Sequence, residues 1–277
     1  MPGFFSSKKA RPPKEGSHPR LVLGLGNPGP GYADTRHNAG YMALELFAER
    51  NRLENPVNFK SSVIISGNIE GARVILAWPL TYMNLSGVAA RELYAFYKVQ
   101  GTENILVLHD EMDLPPGRVK VSFGGGTAGH NGLCSLKENL PGDFAHVRIG
   151  IGRPPKDDWE SFGVSRDYVL SPFEDDELAP MQEGLGLAAD ATLAWIRGGL
   201  AASQRIANKR PKKPKKEKPE GESPDGDPAK AGSDAGKGVS GNNVGEGRDG
   251  GHGEGHEGGH EGGHGEGLDE GHDEGND

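Results

Sequence analysis

The stretch LVLGLGNPGPGY, residues 21–32, constrains the fold of this chain more than any other. Gly24, Gly26 and Gly29 spell GxGxxG directly behind an apolar run, which is the letter pattern of a dinucleotide-binding turn. In such a turn the helix begins inside the motif and aims its N-terminus at the pyrophosphate. Here Pro28, Pro30 and Gly31 stop a helix at that place, and the next helical pattern starts only near Asn38. No acid stands about 20 residues further on at the end of a second strand, where a ribose would be held. The glycines instead permit tight backbone turns at the carboxyl end of a first strand. That leaves Asn27 and the DTRHN segment (34–38) facing a crevice of the kind in which open α/β sheets bind their ligands.

Residues 20–25 are continuously apolar after Arg20, as a central strand is. Tyr41, Leu44 and Phe47 at helical spacing predict a helix over 38–51. Two strands, 61–69 and 73–78, flank the turn EGA, and a second helix covers 85–99. The run 104–110 reads as a buried strand that ends in charged groups, and 118–123 alternates as a half-exposed strand does. A glycine-rich loop, 124–132, leads to a short helix near 133–139, then a strand at 146–152. Residues 174–203 predict a closing helix, interrupted near Gly184–Gly186. The alternation predicts a single α/β domain, a twisted, mixed and mainly parallel sheet flanked by helices.

Composition sets the limits of that domain. From Lys209 onward the chain is Gly, Pro, Lys, Glu, Asp and His, with almost nothing to bury. The reading is a flexible basic extension (1–19), the α/β domain (20–208), a basic Lys/Pro linker (209–220) and a disordered Gly/His/Asp/Glu-rich tail (221–277). Residues 1–208 hold 21 Lys and Arg against 23 Asp and Glu, so −7 of the total charge of −9 belongs to the remainder. Net charge therefore says little about nucleic acid, and local patches decide. One cysteine, Cys134, excludes an intrachain disulfide and fits a reducing compartment. With no secretory apolar run and no membrane-length segment, the expectation is a soluble, cytoplasmic chain.

Four strand-end or loop segments could converge on the crevice: 27–38, 79–84, 108–115 and 124–131. Among them they supply Asn27, His37, Asn84, Asp110 and Asn131. A His beside a carboxylate is a candidate general base, and asparagines offer uncharged donors for a developing oxyanion. No Gly-x-Ser-x-Gly elbow is present, and Cys134 falls inside an apparent helix, where it packs. The nucleophile would then be water. Each residue also has a structural reading: a surface His, an Asp at a turn, an Asn in a left-handed turn position. Spacing alone leaves both open.

At these same segments the chain closely resembles the bacterial peptidyl-tRNA hydrolase family. The matching stretches are GLGNPGPGYADTRHNAGY, PLTYMNLSG, HDEMDLPPG, GGGTAGHNGL and RIGIGRP, with a weaker match continuing to about residue 207. The resemblance implies hydrolysis of the ester between a peptide and the 3′-terminal ribose of tRNA, with peptidyl-tRNA as partner and no cofactor, active-site metal or obligate protein partner. It implies His37 as the general base, Asp110 as the group holding His37 basic, and Asn27 in choosing N-blocked substrates. Tyr32, Tyr82, Asn84 and Asn131 match positions lining the peptide and 3′-end site, and Met83 a cleft-wall position. Arg148 and Lys120 match contacts to the tRNA body. The chain departs from the family at Ser122, Cys134 and His146, where basic residues are common, which bears on the tRNA grip rather than on the chemistry. A catalytically inactive RNA-binding relative is the alternative.

Two terminal features fall outside the resemblance. Seven basic residues lie within 209–218, and interleaved prolines prevent a helix there. The segment reads as a solvated linker or as an arm that holds RNA electrostatically. Beyond it His252, His256, His260 and His264 stand four apart among glycines. The glycines forbid a stable helix, so the segment reads as a solubilising tail that could also chelate a divalent transition metal weakly.

Overall fold

A computed structural model describes residues 18–154 and 164–209. The extension 1–19 (apart from its last two residues), the linker beyond Lys209 and the His-rich tail lie outside the described residues.

Seven strands form one sheet in the order β2-β3-β4-β1-β5-β7-β6. They are β1 (Arg20–Gly24), β2 (Val57–Phe59), β3 (Ser62–Ile69), β4 (Ala72–Pro79), β5 (Ile105–Glu111), β6 (Val119–Phe123) and β7 (Ala145–Gly150). The inner pairs β4–β1, β1–β5 and β5–β7 are parallel. Antiparallel pairing of β2–β3, β3–β4 and β6–β7 finishes the two edges. The expectation of a mixed, mainly parallel sheet flanked by helices is therefore met.

The helices are α1 (Ala39–Arg50), α2 (Ser86–Phe96), α3 (Asn131–Asn139), α4 (Val164–Val169) and α5 (Asp175–Ala207). Strand pleating sends alternate residues to opposite faces, and the two cores follow this period. Leu21, Leu23, Ile105 and Val107 pack with Leu93 and Leu136 of α2 and α3. Val22, Leu106 and Leu108 pack with Leu44 and Phe47 of α1 and Trp195 and Ile196 of α5. A strand buried on both faces has no polar side to alternate, which is why β1 and β5 read as unbroken apolar runs.

The closing helix corrects one expectation. It runs unbroken past Gly184 and Gly186, and the break comes at Gly199, with φ 70° and ψ −165°. Gly184 is a packing position: a Cβ there would lie 2.5 Å from Gly117 Cα. The helix also runs to Ala207 rather than 203, and Asn208 then pairs with the edge strand, its Oδ1 accepting from Val121 N–H (2.7 Å) and its Nδ2 donating to Val121 O (2.9 Å). The three-residue strand β2 and the short helix α4 were not expected. Among the described residues no helix is long and apolar enough to cross a membrane.

Candidate active site

The carboxyl ends of β1, β4 and β5 open into a cleft of about 850 Å³. Its lining includes Asn27, Tyr32, His37, Tyr82, Asn84, Asp110 and Asn131, so every residue expected at the chemical and peptide site is brought to one place. Tyr82, Asn84 and Asn131 are exposed, Tyr32 is half-buried, and Asn27, His37 and Asp110 are buried. Lys120 and Arg148 lie elsewhere, opposite one another on β6 and β7. Lys120 is exposed. Arg148 donates from Nε to Glu111 Oε2 at 2.9 Å.

The loop after β1 is fixed by amides. Asn38 Oδ1 accepts from the Asn27 N–H at 2.8 Å, and Asn38 Nδ2 donates to Asn27 O at 3.0 Å. Asn27 Oδ1 accepts in turn from the Met83 N–H at 2.9 Å, tying the first loop to the one after β4. With Oδ1 engaged, Asn27 presents its Nδ2 donor to the cleft.

His37 sits in a 3₁₀ turn, Arg36–Asn38, at the entrance to α1. Arg36 anchors that turn. Its buried guanidinium pairs with Glu177 at 2.5 Å, donates to Ser171 Oγ and Pro172 O, and lies 4.4 Å over the Tyr168 ring. His37 Nδ1 is 2.9 Å from Asp110 Oδ1. A carboxylate only accepts, so Nδ1 carries the proton and Nε2 the lone pair. Burial opposes the charged form of His37, yet the Asp110 charge and hydrogen bond outweigh it and the pKa is raised. Burial likewise opposes the Asp110 carboxylate, but His37 and His130 hold it well below the usual carboxylate range.

His130 was not among the expected site residues. Its Nδ1 accepts from the N–H groups of Gly132 and Leu133, at 3.1 and 3.3 Å, capping α3. A ring nitrogen that accepts has no proton, so Nε2 bears it and donates to Asp110 Oδ1 at 2.9 Å. The carboxylate thus accepts from two imidazoles. The ligand atoms of His37, Asp110 and His130 lie within 4.8 Å of one another, close enough to ask whether they hold a metal. They do not fit one. A metal on His130 Nε2 would move the ring proton to Nδ1, against the two backbone donors that cap the helix.

Cys134 is half-buried with Sγ 3.2 Å from Thr127 Oγ1, and it does not line the cleft.

Fold and site together define a class: a mixed α/β protein with an imidazole–carboxylate pair in a cleft at its strand ends, suited to moving a proton to and from water. The family profile described as peptidyl-tRNA hydrolase matches residues 21–217, and the chain belongs to that family. It is 40% identical over 190 residues to the peptidyl-tRNA hydrolase of Syntrophomonas wolfei, covering 68% of this chain and 100% of the relative. It is 43% identical over 197 residues to that of Sorangium cellulosum, covering 70% of this chain and 86% of the relative. The fold is similar to the crystal structure of peptidyl-tRNA hydrolase from Acinetobacter baumannii, with TM-score 0.64 and 35% identity over 70% of this chain and 97% of the other.

Proposed function

We infer that the chain hydrolyses the ester linking a peptide to the 3′-terminal ribose of peptidyl-tRNA, and that His37 is the general base. One observation supports this above the others: the hydrogen bond from His37 Nδ1 to Asp110, which leaves Nε2 as a lone pair on the wall of a cleft that three asparagines also line. A water on Nε2 loses a proton to the ring as its oxygen attacks the ester carbonyl. The imidazolium that forms is paired at once with Asp110. Amide donors from Asn27, Asn84 and Asn131 orient the carbonyl and stabilise its developing oxyanion. As the carbon–oxygen bond to the ribose breaks, the imidazolium returns its proton to the leaving 3′-oxygen. Free peptide carboxylate and tRNA result.

Asn27, Tyr32, Tyr82, Asn84 and Asn131 are assigned to the peptide and 3′ end, and Lys120 and Arg148 to the tRNA body. Where translation generates the substrate, the cytoplasm, is the proposed compartment. A divalent transition ion on the tail rests on the spacing of His252, His256, His260 and His264 alone. The test of the activity is release of N-acetyl-amino acid from N-acetyl-aminoacyl-tRNA by the full chain. Turnover at enzymatic rates is expected; release no faster than spontaneous hydrolysis, with tRNA still bound, would replace this reading with that of an RNA-binding relative.

A further inference from the structure

A second imidazole pair adjoins the first, and one of its members, His109, also lines the cleft. Asp110 follows His109 in β5, so the two side chains point to opposite faces of the sheet. His109 Nε2 is 3.0 Å from His146 Nδ1 on β7, and the rings stack at 5.2 Å with 15° between their planes. The far nitrogen of each ring also has a partner. His109 Nδ1 meets the Asp110 backbone carbonyl oxygen at 2.6 Å. His146 Nε2 meets Ser122 Oγ at 2.8 Å and Gly124 O at 3.0 Å. Both histidines are buried.

The partners select one order of protons. If His146 donated from Nε2 to Gly124 O, its Nδ1 would accept from His109 Nε2. His109 Nδ1 would then present a lone pair to the Asp110 carbonyl at 2.6 Å, and nothing would offset that repulsion. In the reverse order the Ser122 hydroxyl donates to His146 Nε2, His146 Nδ1–H donates to His109 Nε2, and His109 Nδ1–H donates to Asp110 O. The remaining mismatch, His146 Nε2 against Gly124 O, lies at the longer 3.0 Å and is offset by the serine. This order keeps both rings neutral. That agrees with their lowered pKa values, set in both cases first by burial, then by His130 and His146 for His109, and for His146 opposed by its contact with Gly124 O. The other charged groups near His146 are Arg148, Glu111 and Lys137.

We propose that His109, its tautomer selected by the Asp110 carbonyl and its ring held by His146 and Ser122, is a positioning residue for the His37–Asp110 pair. It holds the Asp110 main chain through Nδ1–H. Its ring also packs edge-on against His130 at 5.1 Å and 81°, and His130 is the second donor to the Asp110 carboxylate. A wire of one serine and two histidines therefore runs from edge strand β6 to the main-chain carbonyl of the residue whose carboxylate orients the base. The role in catalysis rests on the proposed hydrolysis; the proton order does not.

The test uses the full chain with ¹⁵N-labelled histidine. At neutral pH, His109 is expected as the Nδ1–H tautomer in the wild type and in His146→Gln, whose side-chain amide can still donate to His109 Nε2. In Ser122→Ala, where His146 Nε2 faces only the Gly124 carbonyl and is driven to carry the proton, that tautomer should lose population; in His146→Leu the Asp110 carbonyl still selects it, but the ring is no longer held at Nε2. On N-acetyl-aminoacyl-tRNA, His146→Leu should lower kcat about three- to tenfold and move the acid limb of the kcat–pH profile downward, because a loosened Asp110 supports the charged form of His37 less. His146→Gln should restore the limb. A merely structural role would reduce the active fraction and leave the limb in place. An Nε2–H tautomer of His109 in the wild type overturns the proton order whether or not the chain is active. A limb unmoved in folded His146→Leu overturns the positioning role.

Discussion

His37 Nδ1 stands 2.9 Å from Asp110 Oδ1, across 73 residues of sequence, and both groups are buried. The pairing decides which ring nitrogen can accept a proton and raises the pH at which it does so. In Asp110→Asn the amide can accept from His37 or donate to it, so the correct tautomer is no longer enforced. The expected result is a kcat lower by roughly 10²–10⁴, with the acid limb of the pH–rate profile moved downward from a wild-type position above about 6.5. Steady-state kinetics from pH 5 to 8 on N-acetyl-aminoacyl-tRNA check both.

The turn carrying His37 leads into α1, and α1 approaches the sheet at Gly40. A Cβ there would lie 2.2 Å from Leu108 O and 2.6 Å from Leu25 O, both backbone atoms. Gly40→Ala must push the helix away from β1 and β5. A loss of about 1–3 kcal/mol is expected in urea unfolding, together with reduced kcat, because His37 moves with the helix start.

Acid should weaken the fold through the second imidazole pair. His109 and His146 have lowered pKa values, so the unfolded chain binds protons more readily than the folded one below about 6.5. The stability held by the neutral rings is present above that pH and is lost as pH falls toward the folded-state values, at up to about 1.4 kcal/mol per pH unit for each proton taken up on unfolding. His37, with a raised pKa, works in the opposite direction. Denaturation midpoints between pH 7 and 5 should fall for the wild type and fall less steeply for His109→Asn, whatever that variant's stability at pH 7.

Lys120 and Arg148 differ in how free they are. Arg148 is tied to Glu111 through both Nε and a terminal nitrogen, at 2.9 and 2.7 Å. Lys120 is exposed. Lys120→Ala should raise KM for full-length tRNA substrates and reduce the slope of log KM against log salt by about 0.7–0.9, the value of one phosphate contact, while kcat stays at its wild-type level. Kinetics between 50 and 200 mM salt, a range over which such contacts weaken strongly, measure the slope.

Much of this architecture is legible in the residues. Strands β1 and β5 announce themselves because both faces are buried, and Pro28 and Pro30 deny the glycine turn its nucleotide. His37, Asp110 and the asparagines fall in segments that a parallel sheet must bring to its carboxyl edge. His130 is hidden, because the glycine-rich segment around it reads as plain loop and its link to Asp110 needs the return through β6. The His109–His146 contact depends on cross-strand register: His109 pairs in the ladder with Arg148, and His146 with Val107, so the rings meet on a diagonal. Gly184 and Gly199 carry the same letter, yet one serves packing and the other a left-handed turn. Only the tertiary neighbours separate them.

The central claim is tested most directly by single-turnover hydrolysis of N-acetyl-aminoacyl-tRNA at saturating enzyme, comparing wild type with His37→Ala at pH 7.5. The account predicts a cleavage rate lower by about 10²–10⁴, with tRNA affinity and the unfolding midpoint close to the wild-type values. Equal cleavage rates in the two proteins would contradict it.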